Sequence, residues 1–268
     1  MKGGERAGAF IVTKEHRRFA EFADAVRKHR YIGLCFGNAG VGKTLSARRY
    51  AGWDVAEPLL VDWGARDPSD AKIYAALAQH RTIFYTPAVC CQLRELRDDI
   101  GQLTVRLHAC VSEHLCGEPA IGTDLAELVI VDEAERLSTI GLDHLRDVFD
   151  RTGIGVILIG MPGIEKRLSR YPQLYSRIGF AHHYRPLHGD ELTFVLSRHW
   201  RQLGLALDDA DFTDAQAIAS IARITGGNFR LLQRLFVQIG RILKINRLSV
   251  ITNDVVEAAR STLVIGVT

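Results

Sequence analysis

The eight residues Gly37-Asn38-Ala39-Gly40-Val41-Gly42-Lys43-Thr44 fit the pattern G-x-x-x-x-G-K-[ST]. Glycines at this spacing let the backbone close around an anion, so that successive N–H groups and the positive end of a following helix face it. Lys43 then reaches the β and γ phosphates of a nucleoside triphosphate, and the Thr44 hydroxyl ligates magnesium. Leu45 continues the nucleotide-binding stretch into the helix. Far along the chain, the apolar run Leu128-Val129-Ile130-Val131 leads into Asp132 and Glu133. Asp132 is placed to be a second, outer-sphere anchor for the metal. Glu133 is placed to orient and polarise the water that attacks a γ phosphate. The chemistry expected of this set is magnesium-dependent ATP hydrolysis, with Thr44 and Asp132 on the metal and Lys43 and Glu133 on the reacting groups.

Several related chemistries are excluded by what is missing. No N-K-x-D stretch is present to read guanine, which disfavours GTP, and no L-S-G-G-Q signature of transport ATPases occurs. Asp132-Glu133-Ala134-Glu135 is similar to a DEAx helicase box, but the residues after it are too few for the second core domain such helicases use.

The elements that must hold these residues follow from hydrophobic period. Thr13 is placed to cap a helix with Phe19, Phe22, Ala23 and Val26 on one face, and Tyr31 to Phe36 reads as a buried strand. The glycine-rich turn follows, then a helix over Thr44 to Tyr50, which gives the order strand, loop, helix. Trp53 to Arg81 has no clear period and reads as an insertion without assigned function. Thr82 to Tyr85 is β-prone, and Thr86-Pro87 reads as the cap and first turn of a long helix bearing Leu93, Leu96, Ile100, Leu103, Leu107 and Cys110. Its seam of threes and fours suits a core helix on a sheet, with a coiled coil as the alternative. Leu128 to Val131 and Gly155 to Ile159 are further buried strands with a helix between them. Alternation of strands and helices implies an α/β fold, a parallel sheet covered on both faces. From Asp190 onward helices take over: one capped by Asp190, one opened by a Thr213/Gln216 capping box, then Asn228 to Lys244 and Asn253 to Ser261. The domain reading is an N-terminal segment and helix over 1–30, an α/β nucleotide-binding core over 31–188 and a helical lid over 189–268.

Hydrophobic residues make up 47% and charged residues 24% of the 268, an ordinary folded composition, and the formal net charge of +3 permits a nucleic-acid partner without demanding one. The five cysteines, Cys35, Cys90, Cys91, Cys110 and Cys116, have no zinc-like spacing. With too few apolar residues after Met1 for a secretory segment and no run long enough for a membrane span, the expected location is a reducing cytoplasm.

An α/β phosphate-loop core with a helical lid resembles the AAA+ superfamily of P-loop NTPases, over about Tyr31 to Ser261. Within it the chain looks most like the ATPase regulators of DNA transposition, the MuB, TnsC and TniB group. The resemblance rests on the phosphate loop, on Val129-Ile130-Val131-Asp132-Glu133-Ala134-Glu135-Arg136-Leu137, and on Leu158-Ile159-Gly160-Met161-Pro162-Gly163. It implies a homo-oligomer, a ring or helical filament, that forms on duplex DNA with ATP bound, contacts the DNA backbone with little sequence specificity, and recruits or activates a transposase. It also implies an active site between subunits, completed by a neighbour's arginine: Arg177 in Leu174-Tyr175-Ser176-Arg177, with Arg170 as the alternative. Arg230, in Gly226-Gly227-Asn228-Phe229-Arg230, stands where the lid's sensor arginine is expected, although Arg234 and Arg241 lie near the same face and the stripe also suits a solvated or DNA-facing edge. The polar residue such proteins carry at the strand end after the Asp-Glu pair is replaced by Gly160 or Met161, which implies slow basal hydrolysis that a partner raises. Lys72, Arg94 and Arg97 are the DNA-contact candidates. The alternative readings are a helicase-loader-like or other protein-remodelling ATPase, and a nucleotide-binding signalling switch.

Overall fold

The computed structural model describes residues 10–64, 67–208 and 210–263. They form two compact units: Arg18–Tyr184, and the described residues up to Arg17 together with those from Arg185 onward. Residues 18–30 thus belong with the α/β core, and residues 10–17 with the helical C-terminal unit.

The described residues form, in order, helix α1 (Lys14–His29), strand β1 (Ile32–Phe36) and helices α2 (Lys43–Tyr50), α3 (Trp53–Val61) and α4 (Ala71–His80). Strand β2 (Thr82–Tyr85), the long helix α5 (Leu93–Cys116), β3 (Leu128–Val131), α6 (Thr139–Thr152) and β4 (Gly155–Gly160) follow. Two short helices, α7 (Ile164–Leu168) and α8 (Pro172–Tyr175), lead to β5 (Ile178–His183). The sheet is parallel, in the order β2-β3-β4-β1-β5. Strands buried on both faces need continuous apolar runs rather than alternation, and β2, β3 and β4 are buried at every position. The register pairs Phe36 with Gly160 and Val131 with Leu158, so β1, β3 and β4 end on one edge of the sheet. Strand order reverses beside β1, and in open α/β sheets such a switch point at the carboxyl edge is where ligands bind. Gly37 and Asp132 both begin there.

Helix α1 lays Phe19, Ala23 and Val26 into the core, and the Thr13 hydroxyl oxygen accepts the His16 N–H at 3.0 Å. Helix α5 buries Leu96, Ile100, Leu107 and Cys110 in the same apolar cluster as the strands, as a core helix rather than a coiled coil. The C-terminal unit contains α9 (Gly189–Gln202), α10 (Phe212–Thr225), α11 (Phe229–Asn246) and α12 (Asn253–Ser261). Trp200, Ile221, Leu235, Ile239 and Val256 are buried in its separate core, which also takes in Ile11. The Glu15 carboxylate accepts the Arg185 N–H at 3.2 Å, and Glu191 accepts the Glu15 N–H at 3.0 Å. Among the described residues no helix is long and apolar enough to cross a membrane.

The structure corrects several sequence expectations. Trp53 to Arg81 is a helical pair, α3 and α4, that buries Trp53, Ala56, Leu60, Tyr74 and Leu77. Its period was hidden because Pro58 stands inside α3, where it removes an intrahelical donor. Helix α5 opens at Leu93, where Gln92 and Glu95 form the capping box, so Thr86-Pro87 is loop rather than cap. Asp190 lies in the first turn of α9, which starts at Gly189, and Asp211 rather than Thr213 caps α10 by accepting the N–H groups of Thr213 and Asp214. The strand β5 was not anticipated. Its residues alternate between partly buried and exposed, as an edge strand allows, and the segment's glycine and histidines mask a β signal.

Candidate nucleotide-binding site

The loop between β1 and α2 is shaped by close contact with the end of β5. Tyr184 donates its N–H to the Phe36 carbonyl at 2.8 Å, which presses its own carbonyl against Gly37; a Cβ there would lie 2.3 Å from the Tyr184 oxygen. Only glycine fits. Gly42 has φ +113°, a left-handed conformation that side chains rarely adopt, and it opens α2 without any side-chain cap. The first N–H groups of α2 are therefore left to whatever anion the loop holds. The Lys43 ammonium lies over this loop, donating to the carbonyls of Gly37 at 2.5 Å and Asn38 at 2.9 Å. The Tyr184 hydroxyl shares a 2.7 Å hydrogen bond with Ser46 Oγ, fixing the first turn of α2 against β5. Leu45 is 48% exposed and faces away from the core.

Two residues far apart in sequence meet at this edge: the Thr44 hydroxyl donates to Asp132 Oδ2 at 2.6 Å. The other oxygen, Oδ1, accepts the Glu133 N–H at 2.9 Å, and the Asp132 N–H donates to Tyr85 at 2.8 Å. Asp132 is only 4% exposed. Burial pushes its carboxyl above the usual aspartate range and the Glu133 charge adds to this, while the Thr44 hydroxyl, the Glu133 N–H and Lys43 pull the other way. Glu133 has φ +49°, an uncommon conformation for a side-chain-bearing residue. Its carboxylate is ion-paired with Arg136, whose other arm donates to the Pro87 carbonyl at 2.8 Å. Gly160 ends β4 beside this turn, and a Cβ on it would lie 2.8 Å from Glu135 Oε2.

The remaining candidates belong to other elements. Arg177 precedes β5, and its carbonyl accepts the Ile32 N–H at the start of β1. It is thus at the opposite end of the strand from Gly37, roughly 16 Å away at a strand rise of about 3.3 Å per residue. Its guanidinium pairs with Asp150 at 2.6 Å, and Asp150 also binds Arg146 at 2.7 Å. Arg170 is exposed. In the C-terminal unit, Arg230, Arg234 and Arg241 are exposed on α11, opposite buried Leu232, Leu235 and Ile239. Lys72 is exposed on α4. Arg94 and Arg97 are exposed in the first turns of α5, sharing Asp98 at 3.6 and 4.0 Å. Sequence reasoning missed Tyr184 and Arg136. The first ends a strand that was not foreseen; the second had a signal in its spacing, three residues beyond Glu133, where side chains on one turn meet.

The profile of the AAA domain family matches residues 26–168, from the end of α1 through α7. The chain belongs to the AAA domain family. This AAA domain protein is 46% identical over 269 residues to a Staphylococcus aureus protein named potential ATP-binding protein, covering 96% of this chain and 97% of that one. In fold it is similar to the Thermotoga maritima RuvB Holliday junction branch migration motor, with a TM-score of 0.57 and 17% identity over 95% of this chain and 70% of that one. It is likewise similar to the Aeropyrum pernix ORC1 protein in complex with DNA, with a TM-score of 0.57 and 16% identity over 94% of this chain and 65% of that one.

Proposed function

We propose that this AAA domain protein is a magnesium-dependent ATPase that assembles on duplex DNA and recruits or activates a transposase. The observation that carries the ATPase reading is the 2.6 Å contact between Thr44 and Asp132 beside the glycine-lined turn. A hydroxyl and a carboxylate are hard oxygen donors of the kind magnesium takes, and magnesium at phosphate sites is held by one or two such groups together with the phosphates themselves. Among the described residues no cluster of three or more His, Cys, Asp or Glu is placed to hold a metal without that help. The left-handed turn at Gly42 and the uncapped start of α2 suit a polyphosphate.

In this reading the backbone of Gly37 to Thr44 binds the phosphates, and Lys43 exchanges its bonds to Gly37 and Asn38 for the β and γ oxygens. Thr44 and Asp132 hold magnesium, which when bound offsets the negative charge of the transferring phosphoryl group. Glu133 accepts the proton of the attacking water. Arg177 acts on a neighbouring subunit's nucleotide, to which its distance from the chain's own loop is suited, and Arg230 senses the nucleotide from the helical unit. Gly160 and Met161 offer no polar side chain to the water, so basal hydrolysis is slow and rises with DNA or transposase.

The DNA reading is supported by the resemblance of the phosphate loop, Val129 to Leu137 and Leu158 to Gly163 to the motifs of transposition regulators, and by the fold likeness to a branch migration motor and to a protein solved on DNA. Lys72, Arg94 and Arg97 are proposed to touch the phosphate backbone. The test is electron microscopy of the protein with ATP and duplex DNA, repeated with Glu133→Gln. Assemblies on DNA that persist in the variant are expected. ATP-dependent rings indifferent to DNA would favour a protein-remodelling role, and particles that stay monomeric throughout would sink the assembly reading.

A further inference from the structure

Within the helical C-terminal unit, α9 and α11 approach closely at Gly240, where an added Cβ would lie 2.8 Å from a methyl carbon of Leu203. At Gly204, with φ +78°, the chain turns out of α9. Next to this contact lies a cleft of about 310 Å³, walled by Leu203, Leu205, Leu243 and Leu248 and rimmed by Lys244 and Arg247. Leu248 is folded back by the turn that ends α11, its N–H donating to the Leu243 carbonyl at 2.9 Å while Arg247 is left-handed at φ +54°. Such a turn usually takes glycine or asparagine at that position, so the arginine stands there against the preference of the backbone. Helix α11 carries Arg230, Arg234, Arg241 and Lys244 and no acidic residue. Among the described residues, Arg241, Lys244 and Arg247 form no ion pair. An apolar cleft with an unpaired cationic rim is complementary to an apolar side chain flanked by carboxylates. A nucleic-acid backbone would meet the rim but leave the leucine walls unfilled.

The chain itself contains such a segment, Asp208-Asp209-Ala210-Asp211-Phe212, between α9 and α10. Phe212 opens α10 with its side chain 75% exposed, so it does not fill the cleft of its own copy. The Asp208 carboxylate accepts the Ala210 N–H at 3.0 Å, and the Asp211 carboxylate accepts the Thr213 and Asp214 N–H groups at 2.9 and 3.1 Å. These bonds fix both charges beside the phenyl ring, and among the described residues neither carboxylate pairs with a cation. We propose that Phe212 of one copy enters the leucine cleft of a second copy, with Asp208 and Asp211 meeting Lys244 and Arg247. The contact joins two different faces of the chain, so each copy offers one phenyl ring and one cleft. It needs neither nucleotide nor DNA, and so goes beyond the ATP-gated assembly proposed above without resting on it.

The test is sedimentation velocity of the full chain without nucleotide or DNA, from micromolar to submillimolar concentration and across a salt series. Wild type is expected to associate reversibly, and less tightly as salt screens the rim. Phe212→Ser, and Lys244→Glu together with Arg247→Glu, should each weaken association by about tenfold or more. All three positions are exposed, and thermal melts check that the variants fold. Mixed in equal amounts, the two variants should pair with each other, because the first keeps an intact cleft and the second an intact phenyl ring. Wild type that stays monomeric overturns the proposal and leaves the cleft to an acidic segment of another protein. Association that Phe212→Ser leaves unchanged overturns it as well. So does a cleft variant that self-associates normally but loses duplex DNA, which would give the rim to phosphate. Should a variant not fold, the wild-type series decides, and association that salt does not weaken overturns the proposal. None of these results bears on ATP-driven assembly, which is read with nucleotide and DNA present.

Discussion

Replacing Gly37 by alanine puts a methyl carbon 2.3 Å from the carbonyl oxygen of Tyr184, about 0.7 Å inside the 3.0 Å that such contacts respect. Neither partner can yield easily. Tyr184 is pinned by its N–H on Phe36 at 2.8 Å and by its hydroxyl on Ser46 at 2.7 Å, and it is 3% exposed. The methyl must therefore push the loop out of the cradle. Overpacking of this kind costs about 1–3 kcal/mol, which lowers Tm by about 2–12 °C for a chain of this size. MgATP at a hundred times its Kd should raise the wild-type Tm through about 2.7 kcal/mol of binding linkage, and Gly37→Ala should lose that rise because the displaced loop no longer faces phosphate. Gly101→Ala is the control, since nothing lies within 4 Å of the added methyl and its helix is α5. There alanine should stabilise by about 0.5–1 kcal/mol. Scanning calorimetry with and without MgATP reads both. A Gly37→Ala protein with wild-type Tm and a full MgATP response would refute the reasoning.

Other substitutions separate stability from function. Burial raises the Asp132 carboxyl, so its charged form is disfavoured in the fold; Asp132→Asn should keep or increase stability at neutral pH while losing magnesium-dependent nucleotide binding. Because the metal needs the carboxylate, magnesium affinity should be full above the raised Asp132 pKa and fall as pH drops through it. That loss should begin at higher pH than an unperturbed aspartate near about 3.9 would give, and a magnesium titration at stepped pH, with Asp132→Asn as reference, checks it. Tyr184→Phe removes the hydroxyl bonded to Ser46 and should cost about 0.5–1.5 kcal/mol in a denaturant melt. Reversing Arg94 and Arg97 to glutamate together should weaken DNA binding and flatten the slope of log K against log salt by up to about 2; unchanged binding across the salt series would remove both from the DNA face.

The strands that carry the site were legible because a parallel sheet buries both faces, and Leu128 to Val131 and Gly155 to Ile159 can be little else. The phosphate-loop pattern implied its own strand and helix, and both are present as β1 and α2. What the sequence hid had particular causes. Pro58 disguised α3, and β5 is an edge strand whose alternating exposure lacks an apolar run. Capping positions slipped by one to several residues because Asp211 competes with Thr213 and because Pro87 looks like a first-turn proline wherever it stands. The contact between Thr44 and Asp132 is tertiary, joining residues 88 apart in sequence. Their pairing was inferred from the chemistry a metal requires, whereas Tyr184 and Arg136 entered through packing that no local pattern records.

The grip of Lys43, Thr44 and Asp132 on a metal-bound triphosphate is tested most directly by titration calorimetry of MgATP into the wild-type protein, Lys43→Ala and Thr44→Ala. Wild type should bind with magnesium present and bind less tightly once it is chelated. Lys43→Ala should lose affinity by tenfold or more, about 1.4 kcal/mol, and Thr44→Ala should lose the magnesium dependence. Equal binding by all three proteins, or no heat from wild type, would contradict it.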